Sequence, residues 1–286
     1  MALAGKRGGQ IVNADSMQVY RGMDIGTAKP TLKERQCVPH HLLDVVEPDE
    51  PFDVSRYIGA ARGIIDGLHR EGRTVFVVGG TGLYIRALTG GLIDGPGADE
   101  SLRKDLKEEM TRLGKPHLYE KLCRKDPRAA ARINPNDGVR IIRALEVLEL
   151  TGRSIVEYQE EHRFQERPFD VLKIGLAMDR EELNERIDTR TERMVADGFV
   201  EEVRRLLGQG YDGMLKPMQS LGYRHLVAHL AGQKDLKGAV GLIKRDTRHY
   251  ARRQMTWFAA DPEILWLGAE DVATAEENIS RFLERP

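Results

Sequence analysis

Between Asn13 and Pro30 the chain reads Asn-Ala-Asp-Ser-Met-Gln-Val-Tyr-Arg-Gly-Met-Asp-Ile-Gly-Thr-Ala-Lys-Pro. A short apolar run, Ile11-Val12, leads straight into Asp15 and Ser16. That order predicts a strand whose carboxyl end carries a carboxylate and a hydroxyl, the place where open α/β sheets bind their ligands. Gln18, Tyr20, Arg21, Thr27 and Lys29 follow closely. The segment has many hydrogen-bonding groups and few apolar ones, which favours a binding loop; a polar turn after a strand is the plainer alternative.

Three further segments could carry chemistry. Val77-Val78-Gly79-Gly80-Thr81-Gly82-Leu83-Tyr84 reads as a strand, a glycine-rich turn and a helix start. Such glycines let backbone approach a phosphate, and a helix amino end favours an anion. Thr81 either caps that helix or points its hydroxyl at a ligand. From Asn136 to Val147 a helix opens with Asn136 or Asp137 as its cap. Ile141, Leu145 and Leu148 form its apolar stripe, and Arg140 and Arg143 lie together on another side. A solvated basic face explains the two arginines as well as RNA contact does. Tyr250 to Phe258 interleaves Arg252 and Arg253 with Tyr250 and Trp257, downstream of Lys244, Arg245 and Arg248. Arg245, Arg248 and Arg252 share a helix face. That mixture suits phosphates and stacked bases, or else a basic helix whose Trp packs inward.

The elements that must position these residues alternate. Strand-like runs occur at Gln10–Asn13, Thr74–Val78, Val171–Ala177 and Ile264–Leu267, apolar without strict alternation, as strands covered on both faces are. Helical periodicity fills Ser55–Arg70, Glu181–Leu207 and Asp235–Phe258. Strands separated by helices predict a parallel α/β sheet. Gly90–Gly97, with four glycines and a proline, marks a boundary. Beyond it, 99–167 is charged and helical, with breaks at Gly114-Lys115-Pro116, Asp126-Pro127, Asn134-Pro135 and Thr151-Gly152. The expected domains are an α/β core of 1–98 and 168–286 and a helical insertion of 99–167.

Composition narrows the class. The 286 residues, 41% hydrophobic and 31% charged, suffice for a sizeable core. No apolar run approaches the roughly 20 residues that span a bilayer, so no membrane is expected. The two cysteines, Cys37 and Cys123, read as free thiols rather than a zinc site. A net charge of −1 confines any nucleic-acid contact to local patches.

Five separated segments, from the Asp15 loop to Tyr250–Phe258 and including Gln219-Ser220-Leu221-Gly222-Tyr223-Arg224, resemble in order the tRNA dimethylallyltransferases. These are the enzymes that prenylate an adenosine beside the anticodon. The resemblance implies a P-loop NTPase-like parallel sheet flanked by helices, with an inserted helical domain that contacts tRNA. It implies transfer of a dimethylallyl group from dimethylallyl diphosphate to N6 of the adenosine at tRNA position 37, with Mg²⁺. An exocyclic purine amine is a poor nucleophile, so a base must take its proton, and Asp15 is the choice. Thr81 and Arg103 match family positions near the reacting groups. The expected tRNA-binding residues are Asp15, Ser16, Met17 and Gln18; Val139, Arg140, Ile141, Ile142 and Arg143; Gln219, Ser220, Leu221, Gly222, Tyr223 and Arg224; and Arg252, Arg253, Gln254, Met255, Thr256, Trp257, Phe258 and Ala259. Two of these depart from the family: Val139 stands where Gln is usual, and Ala259 where Arg is often found. The alanine forms of Arg140, Arg143 and Arg253 are expected to lose RNA affinity and little stability.

The family begins with a strand and a G-x-x-x-x-G-K-[ST] phosphate loop. Gly5-Lys6-Arg7 lacks the preceding strand, the first Gly and the final hydroxyl, and Ala2 to Gly9 reads as the tail of a helix. The expectation is therefore a family member without its first strand and phosphate loop. Two alternatives accompany the main reading: transfer to free adenine nucleotides, and a tRNA-binding protein without catalysis. The expected setting is the cytoplasm and the expected state a monomer.

Overall fold

The chain divides into two units, Met1–Leu88 with Asp170–Pro286, and Thr89–Phe169. The computed structural model describes residues 1–93, 95–162 and 165–285.

In the first unit, α1 (Ala2–Lys6) leads into β1 (Gln10–Asn13). β1 is the central strand of a three-stranded parallel sheet, between β2 (His40–His41) and β3 (Val75–Val78). Ile11 pairs with His40 on one side and Phe76 on the other, and Asn13 pairs with Val78. This register brings the residues after Asn13 and those after Val78 out of the sheet together. Ile11 and Val12 are buried, which explains a strand apolar at successive positions. β2 was not anticipated, because two residues give no pattern to read.

Between these strands, α2 (Leu32–Cys37) starts in a capping box of Thr31 with Glu34. α3 (Val54–Arg70) is capped by Asp53 and buries Tyr57, Ile58, Ala61, Ile65 and Leu68 along one stripe. α4 (Gly82–Gly90) follows the turn after β3. Tyr57 of α3 stacks on Tyr84 of α4 with ring centroids 4.1 Å apart.

The second unit is helical. It contains α5 (Glu100–Lys125), α6 (Pro127–Ala130), α7 (Gly138–Thr151) and α8 (Ile155–His162). Its core joins Leu106, Leu118 and Leu122 of α5 to Ile141, Ile142, Ala144 and Leu145 of α7. The expected breaks fall where glycine and proline placed them. Gly114 (φ +84°) kinks α5 ahead of Pro116, Asp126 caps α6, and Gly152 ends α7 in the left-handed conformation.

The chain then returns to the first unit. β4 (Lys173–Ala177) pairs in parallel with β5 (Ile264–Gly268), as a second, two-stranded sheet. The single helix expected over Glu181–Leu207 is two, α9 (Arg180–Ala196) and α10 (Phe199–Gly208). Gly198, at φ +103°, breaks it where a side-chain-bearing residue would be strained. α11 (Tyr223–Leu230), α12 (Leu236–Phe258) and α13 (Val272–Leu283) complete the chain. Among the described residues no helix is long and apolar enough to cross a membrane. Cys37 and Cys123 are free.

Candidate active site and nucleic-acid interface

The carboxyl end of β1 is built around Asn13. Its buried amide accepts from the Asp15 N–H (3.2 Å) and donates to the carbonyls of Asp15 (3.2 Å) and Leu42 (3.1 Å). The chain is thereby turned out of the sheet. The Asp15 carboxylate accepts from the N–H groups of Met17 (2.7 Å) and Gln18 (3.3 Å), both at Oδ1. No described residue donates a hydrogen bond to Oδ2. Burial pushes the Asp15 carboxyl above its ordinary range, against the lowering effect of those two N–H bonds. A carboxylate so placed is a better proton acceptor than a surface aspartate. The phenols around it respond in the same sense. Tyr84 and Tyr250 are raised first by burial and, in addition, by the negative charge of Asp15.

The turn after β3 closes against this strand end. Ala14 donates its N–H to the Val78 carbonyl (2.8 Å), and Thr81 donates its N–H to the Ala14 carbonyl (3.1 Å). The Thr81 hydroxyl oxygen accepts from the Ser16 N–H (3.0 Å). Thr81 thus links the two strand ends by both backbone and side chain, and its hydroxyl proton is still available to a ligand. The glycines here allow close approach by other parts of the protein. A Cβ on Gly79 would run into the backbone of Ala14, and one on Gly82 into the indole of Trp257. The third partner is α12. Gln254 donates its amide to the Gly80 carbonyl (2.9 Å), and Arg253 lies over the Tyr250 ring at 5.7 Å. Asp15, Thr81, Gln254 and Trp257 therefore share one neighbourhood, with Arg252, Arg253, Met255 and Thr256 exposed on the adjoining helix end.

In the second unit Arg103 and Arg143 converge on one carboxylate. Glu146 has no solvent-accessible side-chain surface. It accepts from Arg103 Nη2 (3.1 Å), from Arg143 Nη1 (2.6 Å) and from the Asp99 N–H (2.8 Å), and Arg103 Nε lies 2.8 Å from it as an ion pair. Burial alone would raise its carboxyl; the bonds from Arg143, Asp99 and Arg103 outweigh that and hold it below its ordinary value. Arg143 also donates to the Pro96 carbonyl (2.7 Å). Beside them Val139 and Arg140 project outward on the first turn of α7, whose cap is Asp137.

A family model described as IPP transferase matches residues 18–261. The chain belongs to that family. A tRNA dimethylallyltransferase 2 of Syntrophus aciditrophicus is 56% identical over 283 residues, covering 99% of this chain and 90% of that relative. A tRNA dimethylallyltransferase of Geobacter metallireducens is 53% identical over 267 residues, 93% of this chain and 86% of the other. Among solved structures, the full-length tRNA isopentenylpyrophosphate transferase of Bacillus halodurans superposes with a TM-score of 0.72 at 37% identity, over 99% of this chain and 91% of that one. A eukaryotic dimethylallyltransferase described as acting on tRNA gives a TM-score of 0.78 at 29% identity, over 98% and 72%. The expectation of a missing first strand and phosphate loop is not borne out by these matches. As for Gly5-Lys6-Arg7, Lys6 pairs with Glu276 of α13 at 2.8 Å and Arg7 bonds to Ser280.

Several of the expected RNA contacts of this IPP transferase are turned inward or already paired within the protein. Ile141 and Ile142 are buried in the helical core, so their side chains do not face RNA. Tyr223 is fully buried, with its hydroxyl on Glu202 at 2.6 Å; Gly222 is buried too. Arg143 is not a free surface cation: it holds a buried carboxylate, so its loss cannot be cheap in stability. Arg224 pairs with Asp246 (2.6 Å), Gln219 bonds to the Gly213 carbonyl (2.7 Å), and the half-buried Leu221 lies between them in sequence. The Ser220 hydroxyl is buried without a hydrogen-bond partner among the described residues. Of the shared basic face on α12, Arg248 is bound bidentately by Asp188 and Arg245 by Asp246, leaving Arg252 exposed. Phe258 is half-buried, and Ala259 is the exposed residue that ends the helix. Asn13 and Glu146 were missed. Asn13 follows an apolar run like any turn residue, but Glu146 sits inside Arg-Ala-Leu-Glu-Val-Leu, an apolar stretch that signals a buried charge.

Proposed function

We propose that this protein transfers a dimethylallyl group from dimethylallyl diphosphate to N6 of adenosine 37 in tRNA, in the cytoplasm. The observation that carries this reading is Asp15: a carboxylate at a strand end, raised by burial, with one oxygen held by backbone and the other open. In the transfer, N6 forms a bond to the allylic C1 as the C1–O bond breaks. Diphosphate leaves with the electron pair, and the N6 proton goes to Asp15. The adenine must leave its stack to reach a partly buried carboxylate. Exposed Arg252, Arg253 and Trp257 of α12 suit the RNA backbone and a stacked base, and Val139 and Arg140 of the helical unit add a second contact. Thr81 offers a hydroxyl beside the base.

Mg²⁺ is expected with a diphosphate substrate. Among the described residues no group of three or more His, Cys, Asp or Glu side chains could hold a metal ion. When bound, the ion would neutralise charge developing on the leaving diphosphate. The names of the relatives favour transfer to tRNA over transfer to free nucleotides or a purely binding role.

The test is Asp15→Asn, which keeps the shape and removes most of the basicity. Single-turnover prenyl transfer to tRNA is expected to be nearly abolished, with tRNA affinity within a few-fold. Undiminished transfer would rule out the base role.

A further inference from the structure

The loop that bears Asp15 is anchored from a distance by a buried carboxylate. Glu202, on α10, is 4% exposed. Its two oxygens accept from three successive backbone N–H groups, Asp24 (3.0 Å), Ile25 (2.7 Å) and Gly26 (3.1 Å). The fourth donor is the Tyr223 hydroxyl. Burial raises the Tyr223 phenol well above its ordinary value, so it remains a donor. Gly26 leaves no room for a Cβ against the rings of Phe199 and Tyr223, which meet edge to face at 4.9 Å.

The turn so held reaches the site through one side chain. Gln18 donates its amide to the carbonyls of Thr27 (3.0 Å) and Ala28 (3.4 Å), while its own backbone N–H donates to Asp15 Oδ1. Lys29, fully buried at its side chain, closes the same loop onto Asp24 and Asp44. Three parallel backbone donors on one carboxylate fix a turn in orientation as well as position, because a shift of any one breaks its bond.

We propose that Glu202 and Tyr223 are positioning residues for the transfer reaction. They set the 24–28 turn, which through Gln18 sets the Asp15 carboxylate. This rests on Asp15 acting as the base. The segment containing Tyr223 then serves the site from inside the protein rather than by touching RNA.

The test is single-turnover transfer at saturating tRNA and dimethylallyl diphosphate, with tRNA affinity and melting measured in parallel. Glu202→Gln replaces an acceptor of backbone bonds with an amide. It is expected to lower the rate about 10- to 100-fold, as small misplacement of a reacting group does, with tRNA affinity within a few-fold. In a Gln18→Ala background the same change should lower the rate by less than about three-fold, because the connection is already cut. If the effect is equal in both backgrounds, or if Glu202→Gln transfers at full rate, the proposal is wrong. Tyr223→Phe, which removes only one hydroxyl, takes the place of Glu202→Gln should that variant not fold. A rate loss of several-fold that vanishes in the Gln18→Ala background supports the proposal, and an unchanged rate overturns it. Asp15→Asn separates the two ideas: full activity there refutes the base, whereas additive losses at 202 and 18 refute the positioning route alone.

Discussion

Replacing Arg143 with alanine removes one donor from a carboxylate that has no access to water. Glu146 is bound by Arg103, Arg143 and the Asp99 N–H, and Arg143 makes the shortest of the bonds at 2.6 Å. A hydrogen bond to a charged group contributes about 1.5–3 kcal/mol, so Arg143→Ala should destabilise the protein by about that much. Removing Arg103 as well leaves the carboxylate with only a backbone donor, and loss of the last cation from a buried pair costs about 3–5 kcal/mol. Arg140→Ala is the control: it is exposed, pairs with Asp137 at 3.4 Å, and should change stability by less than about 0.5 kcal/mol. The effect has a pH signature. The folded-state pKa of Glu146 is depressed, so its partners' stabilisation is complete above the ordinary carboxylate pKa and is lost as pH falls through the lower folded value. The gap between the parent protein and Arg143→Ala should therefore be widest near neutrality and narrow in acid. Urea unfolding followed by circular dichroism at several pH values measures it. Arg143→Ala matching Arg140→Ala at pH 7 would refute the reasoning.

Further outcomes follow from the same geometry. Because burial raises the Asp15 carboxyl and only its ionised form accepts a proton, single-turnover transfer should rise with pH through a value above the ordinary aspartate range. A pH–rate profile flat through that region would exclude Asp15 as the titrating base. Arg140→Ala with Arg253→Ala should weaken tRNA binding and reduce the slope of log affinity against log salt by about one per lost phosphate contact; filter binding at several salt concentrations checks this. Gly79→Ala should destabilise by about 1–3 kcal/mol, since its Cβ would meet the Ala14 backbone, which cannot swing away like a side chain. A thermal melt at the parent value would show that the strand ends are not in contact.

Much of the fold was legible because its signals are local. Ile11-Val12, the run before Gly79 and the two later apolar runs gave four strands, and glycine and proline marked the breaks in the helical unit. The helix over Glu181–Leu207 was misread because apolar periodicity continues across Asp197-Gly198, and only the left-handed backbone there interrupts it. The Asp15 loop and Thr81 were legible as a candidate site from residue type at a strand end. What could not be read was the fate of polar groups far apart in sequence. Nothing in the order of residues tells that Tyr223 turns inward to Glu202, or that Glu202 caps a turn near position 25. Arg143 looked like Arg140, since helical spacing gives a side of the helix but not what lies against it.

The contact between α12 and the turn after β3 has an evolutionary consequence. Gly80 faces the Gln254 amide, and Gly82 faces the Trp257 indole, with the room for a methyl group taken up by the longer side chain in each case. Volume is therefore shared between positions distant in the sequence. A lineage that acquires a side chain at position 82 can keep the turn in place only by shrinking the residue at 257, and neither step is neutral without the other. Drift at these two positions must proceed in pairs, so the exposed end of α12 and the turn that carries Thr81 are inherited as one unit of selection although no chain segment joins them.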